Sequence, residues 1–295
     1  MPLIYDESFP AYCERPAINN SALKVYERCP LLYRKAYIDR TVSLERDSDA
    51  MLVGRAAHTL ILEGEEAYLA RYVVRPQFYP GKDKKGKAVD KDWTMSADWC
   101  KAWVAEHEAK GLEVLSADEN KLVERLALAI EENPDTAAIF EAGRPEITIT
   151  SEYLGRGVKG RLDWYDPERY LVADLKTVDD LDNFERQVKR IRRGDGKHWY
   201  YYRQLAWYRS LMEFEGHTAC NYYLVAVEKQ EPFRCGTYRL RPKLLGQGES
   251  ENDGVFRDLL ASLTSNHWAG NPCGVQEVEL PEDGHTFGLA IPNQV

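Results

Sequence analysis

The spacing of hydrophobic residues changes along the chain, and each change marks a set of elements. Asn19-Asn20-Ser21 offers a cap for a helix carrying Ala22, Leu23, Val25 and Tyr26. Pro30 interrupts it and opens a second short helix through Leu31, Leu32, Tyr33 and Tyr37. Residues 49–62 are apolar almost all round, as in a buried helix, and His58 sits among them. A short strand over 71–76 leads into 77–92, a basic, glycine-bearing segment that reads as a mobile loop. A helix over 93–110 sets Trp99 and Trp103 one turn apart as a packing pair. Ser116-Ala-Asp-Glu119 has the form of a capping box, followed by Leu122, Leu126 and Ile130, with Asn133-Pro134 as the stop. A further short helix over 135–142 ends at Gly143.

The period then shortens to two. Residues 146–153, a turn at Gly155-Arg156-Gly157, residues 158–165 and residues 171–176 predict a three-stranded meander. Helices over 182–192 and 199–214, strands over 221–229 and 233–240, and a helix over 255–268 follow, with an irregular tail over 270–295. No internal repeat or linker divides the chain. The expectation is one α/β domain over 1–295, with its core at 21–240.

Composition narrows the class. The chain has 295 residues, 44% hydrophobic, enough for a substantial core. No stretch of about 18 apolar residues exists, and the first residues lack the pattern of a signal peptide, so a cytoplasmic protein with no membrane partner is expected. Six cysteines are scattered without a Cys-x-x-Cys pair, which argues against a zinc site or a disulfide framework. A net charge of −9 excludes a protein that coats nucleic acid over its whole surface. Two local basic runs remain as candidate DNA contacts: Lys82, Lys84, Lys85 and Lys87, and Arg186, Lys189, Arg190, Arg192, Arg193 and Lys197.

The candidate chemistry lies in the meander. Asp174 and Lys176 are two apart on one strand, so their side chains share a face. With a turn at Asp166-Pro167-Glu168-Arg169, Tyr165 faces Tyr170 and Asp163 faces Val172, making Asp163 a diagonal neighbour of Asp174 at roughly 7–8 Å. Glu146 adds a carboxylate on the strand before. Carboxylates at this spacing suit a hard divalent cation, Mg²⁺ or Mn²⁺, one ion or two, and a lysine beside them can position a water. An Asp-x-Lys triplet alone is a weak signal; its setting at the end of an apolar strand strengthens it.

Several segments taken in order resemble a known family. Gly54-Arg-Ala-Ala-His58-Thr-Leu-Ile-Leu-Glu63, Leu115-Ser-Ala-Asp-Glu119, Gly160-Arg-Leu-Asp163-Trp, Asp174-Leu-Lys176-Thr177 and Tyr201-Tyr-Arg-Gln204-Leu-Ala-Trp-Tyr208 are similar to motifs of the PD-(D/E)XK nuclease superfamily. Within it, they look like the RecE C-terminal, exonuclease VIII type, with the last segment resembling the QxxxY motif of RecB-like nucleases. The likeness covers 21–240. Leu162 stands where a proline often precedes the metal aspartate; that position supplies no ligand.

The resemblance implies a restriction-endonuclease-like core, a central mixed sheet flanked by helices. It implies that His58, Asp163, Asp174 and the backbone carbonyl of Leu175 hold metal, and that Lys176 activates or orients water. Gln204 and Tyr208 would contact the scissile strand or brace the lysine, and Glu146 would bind a second metal or order the site. An iron–sulfur cluster is not expected, because Cys220, Cys235 and Cys273 are too dispersed to join Cys29. The implied activity is a Mg²⁺-dependent exonuclease on double-stranded DNA ends, 5′ to 3′, serving phage-type recombination. A homo-oligomeric ring and a single-strand annealing protein are the partners it suggests. Two other readings stay open at this level: a flap or single-strand endonuclease, and a DNA-binding member of the fold without catalysis.

Overall fold

The computed structural model describes residues 3–44, 49–184, 188, 200–217 and 220–270. A short strand β1 (Leu3–Ile4) leads to helices α1 (Phe9–Glu14), α2 (Asn20–Arg28) and α3 (Pro30–Tyr33). Asn19 caps α2, its side chain accepting the Ala22 N–H at 2.8 Å. Next come α4 (Asp49–His58), a π-helical turn (Thr59–Glu63) and α5 (Glu65–Arg71). Strands β2 (Tyr72–Val74), β3 (Phe78–Lys82) and β4 (Ala88–Asp92) precede α6 (Asp98–Glu108) and β5 (Glu113–Leu115). Helix α7 (Ala117–Glu132) starts on a complete capping box, Ser116 and Glu119 each satisfying the other's backbone N–H, and α8 (Pro134–Phe140) follows.

The meander is β6 (Arg144–Tyr153), β7 (Arg156–Asp166) and β8 (Leu171–Val178), followed by α9 (Tyr201–Phe214), β9 (Asn221–Glu228), β10 (Cys235–Arg239) and α10 (Pro242–Ser265). Six strands form one mixed sheet in the order β1-β6-β7-β8-β9-β10, antiparallel except for the parallel pair β8–β9. Parallel pairing requires a crossover, and α9 lies in it. Each face of the sheet carries its own core. Leu23, Leu162, Val172, Leu205, Leu211, Leu224 and Phe256 fill one side, under α2, α9 and α10. Val53, Ala57, Leu126, Trp164, Ala173, Leu175 and Val225 fill the other, under α4 and α7. The α/β class with a central mixed sheet flanked by helices is therefore what the chain forms.

Several local expectations need correction. Residues 77–92 are not a loop: β3 and β4 pair as a hairpin, with Asp83 Oδ1 accepting the N–H groups of Lys85 and Lys87 and Gly86 at φ +80° closing the turn. The β6–β7 turn is Leu154-Gly155, both at positive φ, the two-residue connection that matches strand twist, rather than Gly155 to Gly157. Between β7 and β8 the register is Trp164 to Ala173 and Tyr165 to Val172, two residues from the expected one, because Asp166 takes the N–H groups of Glu168 and Arg169 and lengthens the loop. The 93–110 helix begins only at Asp98, Trp99 and Trp103 each meeting Trp93 edge-on, and the last helix begins at Pro242. The buried helix over 49–62 changes to π geometry after His58. The 182–192 helix and the 270–295 tail lie almost wholly outside the described residues.

Candidate active site

The sheet is interrupted at one place, and the candidate residues collect there. Leu162 packs into one core and Trp164, two residues on, into the other, so the alternation of β7 breaks at Asp163. The ladder breaks with it. Pairing of β6 with β7 skips Glu146 and Asp163, Glu146 sitting at φ +56°, and pairing of β7 with β8 stops at Trp164–Ala173. Continued one step, the observed register would set Asp163 opposite Asp174. Instead the Asp163 carboxylate enters the gap and accepts the Leu175 N–H at 2.9 Å, replacing a ladder bond with a side-chain bond.

Helices from both faces reach this gap. His58, the last residue of α4, brings Nδ1 to 3.6 Å from Asp163 Oδ2. The π-helical turn that follows has the wider winding often found at functional positions. Ligand atoms of His58, Glu146 and Asp163 all lie within 4.8 Å of one another. From the opposite face α9 supplies Gln204, whose amide donates to Asp174 Oδ1 at 2.8 Å and to the Tyr208 hydroxyl at 2.9 Å. Helix α9 can come this close because Gly160 has no side chain: a Cβ there would stand 2.9 Å from Leu211 and 3.1 Å from the Tyr208 ring.

Charge in the gap is poorly balanced. Burial raises the Asp163 carboxyl well above its usual range, and Asp174 adds to the shift against Lys176. Glu146 is also raised by burial, although Arg161 donates a short hydrogen bond to it and pulls the other way. Burial and the Lys176 cation push His58 down to about 3, so its imidazole is neutral, the form that offers a lone pair to a metal. Burial opposes the charge on Lys176, but Asp174 and Asp163 outweigh it and hold the ammonium at about 12. Lys176 meets Asp174 Oδ2 as an ion pair without aligned hydrogen-bond geometry. Two buried carboxylates whose ionisation the surroundings disfavour, beside a neutral imidazole, fit a divalent cation: its charge would relieve the repulsion, and its oxygen and nitrogen ligands are in place.

All six residues expected to act in catalysis, with His58, therefore fall at one break in the sheet. Their grouping differs from the expected one in a single respect: Glu146 joins His58 and Asp163, while Asp174 is engaged by Gln204 and Lys176. Leu175 contributes its N–H to Asp163, and its backbone lies beside the His58 imidazole. Lys82, Lys84, Lys85 and Lys87 sit on the β3–β4 hairpin, a separate two-stranded sheet, and do not join the cluster. Arg186, Lys189, Arg190, Arg192, Arg193 and Lys197 lie outside the described residues. One residue of the site was not anticipated: Arg161, which also donates to the Glu7 carbonyl at 2.9 Å, lies one residue from Leu162 in a quoted motif and could have been noticed.

Residues 19–279 match the family described as PDDEXK-like domain of unknown function (DUF3799). The chain belongs to this family. Its fold is that of the PD-(D/E)XK superfamily, whose nucleases typically use divalent metals. Among solved structures it is similar to one from Eubacterium rectale, provisionally designated an exonuclease, with a TM-score of 0.60 at 14% identity, over 95% of this chain and 96% of that one. At that identity the likeness concerns the fold. No curated protein matches the sequence. Among the described residues no helix is long and apolar enough to cross a membrane.

Proposed function

We propose that this protein is a metal-dependent deoxyribonuclease that hydrolyses phosphodiester bonds from the ends of double-stranded DNA. The observation that carries the reading is the meeting of His58, Glu146 and Asp163 within 4.8 Å at the sheet break, next to the Asp174–Lys176 pair, in a chain of a PDDEXK-like family. Mg²⁺ or Mn²⁺, one ion or two, would be held by His58, Asp163 and Glu146, with Asp174 and the Leu175 carbonyl at hand. When bound it would polarise the phosphate and lower the pKa of water.

The chain's own groups divide the rest of the work. An ammonium held at about 12 is a poor proton acceptor, so Lys176 acts as a cation and hydrogen-bond donor, orienting the attacking water and meeting charge that develops on the phosphate. Gln204 fixes Asp174 and through it the lysine, and Tyr208 fixes Gln204. Arg161 holds the Glu146 carboxylate toward the cluster. Direction 5′ to 3′, a cytoplasmic site of action and a role in phage-type recombination, with an annealing protein to receive the exposed strand, belong to the same proposal and are supported by the motif resemblance. So do a ring-shaped homo-oligomer and DNA contacts by the lysines of 82–87 and the basic run of 186–197.

The test is digestion of end-labelled linear duplex and of closed circular DNA, with Mg²⁺, with Mn²⁺ and with EDTA. Metal-dependent loss of the linear substrate with the circle intact is expected. Cutting of the circle would replace the exonuclease reading by an endonuclease, and activity in EDTA would refute the metal chemistry.

A further inference from the structure

Tyr201 opens the segment that resembles the QxxxY motif, yet the catalytic arrangement gives it no task. It is the first residue of α9 and is buried, 8% exposed. The Lys176 ammonium lies over its ring, Nζ standing 5.3 Å from the centroid. That is within the distance at which the negative face of an aromatic ring attracts a cation. Phe184, fully buried, packs beside the ring with centroids 5.9 Å apart and keeps it in place.

Lys176 is short of such neighbours. Its side chain is 15% exposed, and its contact with Asp174 Oδ2 lacks aligned hydrogen-bond geometry. The other oxygen of Asp174 is taken by Gln204. A lysine head is a compact charge on a flexible stem, so an ion pair of this kind leaves it room to swing. Tyr201, Gln204 and Tyr208 stand at i, i+3 and i+7 of α9 and therefore leave one face of the helix. Helix α9 thus grips the Asp174–Lys176 pair at two points one turn apart: the Gln204 amide meets the carboxylate at 2.8 Å, and the Tyr201 ring meets the ammonium. An aliphatic side chain could fill the same volume of core, but it would offer the cation no attraction.

We propose that Tyr201 is a positioning residue for Lys176: the face of its ring holds the ammonium against Asp174, so that the lysine meets the attacking water and the phosphate in one fixed place. The inference rests on the nuclease reading and deepens it. Tyr201 reaches the reaction through Lys176 alone.

The test uses the full-length protein with Mg²⁺ and linear duplex. It compares the wild type with Tyr201→Phe, with Tyr201→Leu, and with phenylalanines carrying one, two and three ring fluorines incorporated at the same position. Fluorine draws electron density from the ring face with little change in volume, so the series weakens the hold on a cation step by step. Tyr201→Phe should keep kcat within about threefold, because the face is retained. Tyr201→Leu should lower kcat about tenfold or more with KM within about twofold, the mark of a contact that matters in the transition state. Across the fluorinated series log kcat should fall in step with the number of fluorines, by about tenfold in all. Fluorescence anisotropy with Ca²⁺ in place of Mg²⁺ should show DNA binding unchanged throughout. A purely structural role cannot give the graded fall, since the fluorinated rings pack alike. A flat kcat across the fluorinated series, a Tyr201→Phe variant as slow as Tyr201→Leu, or full activity in Tyr201→Leu overturns the proposal alone, because the wild type still cuts DNA. A wild-type chain that leaves every DNA substrate uncut overturns the nuclease reading and this inference with it.

Discussion

The substitution Asp163→Asn should stabilise the metal-free protein while removing its response to metal. An asparagine side chain is isosteric with the carboxylate, and its oxygen can keep the bond from the Leu175 N–H, which stands at 2.9 Å in the parent. What changes is charge. Ligand oxygens of Asp163 and Glu146 lie within 4.8 Å, and two unit charges at that distance repel by about 3 kcal/mol at an effective dielectric of about 20. Arg161 and Lys176 offset part of this, leaving a gain of about 1–3 kcal/mol for the substitution. For a chain of this size that is a rise of about 2–5 °C in unfolding midpoint.

The effect should grow with pH. Asp163 ionises near 3.8 in the unfolded chain but well above that in the fold, so between those values the folded protein holds the extra proton and its stability falls as pH rises. His58 acts in the opposite sense: lowered from 6.5 to about 3, it adds stability as pH rises up to about 6.5. Its contribution is common to both proteins and cancels in the difference, so the gap between variant and wild type widens with pH. Thermal melts in EDTA from about pH 4 to about pH 9 measure it. Saturating Mn²⁺ should then raise the wild type, by about 2.7 kcal/mol at a hundredfold excess over Kd, and raise the variant much less. A variant that melts at or below the wild type in EDTA, or a gap independent of pH, would refute the electrostatic account of the site.

Three further outcomes are expected. Lys176→Met should reduce hydrolysis of end-labelled duplex at least a hundredfold with far-UV circular dichroism unchanged; near-wild-type rates would remove the lysine from the chemistry. Gly160→Ala forces a Cβ to 2.9 Å from Leu211, and urea unfolding should show a loss of about 1–3 kcal/mol together with reduced activity as α9 shifts Gln204 away from Asp174; an unchanged midpoint would show that α9 does not need the close approach. Arg161→Ala frees Glu146 from its bracing partner and should weaken Mn²⁺ activation about tenfold or more in a titration of activity against metal; an unaltered titration would assign Arg161 to anchoring the segment at Glu7 alone.

Much of this protein was legible in order along the chain. Alternation gave the meander, an apolar run the helix of His58, Ser116 and Glu119 the start of α7, and the motifs their sequence of appearance, because local propensity and burial act over a few residues. Turn geometry was less accessible. Asp166 binding two backbone N–H groups shifts the β7–β8 register by two residues, and Asp83 with Gly86 turns an apparent loop into a hairpin. Those outcomes depend on single side-chain bonds whose competitors are nearly as favourable.

What the sequence determined by itself is which residues are candidates for the chemistry and on which kinds of element they ride. Only the tertiary structure decided how they divide. The break of β7 at Asp163 groups that residue with Glu146 and His58, and leaves Asp174 to Gln204 and Lys176. The reason is physical: strand periodicity fixes which face a side chain leaves from, but a ladder interruption, a helix drawn close over a glycine, and the balance of buried charges arise between segments far apart in the chain.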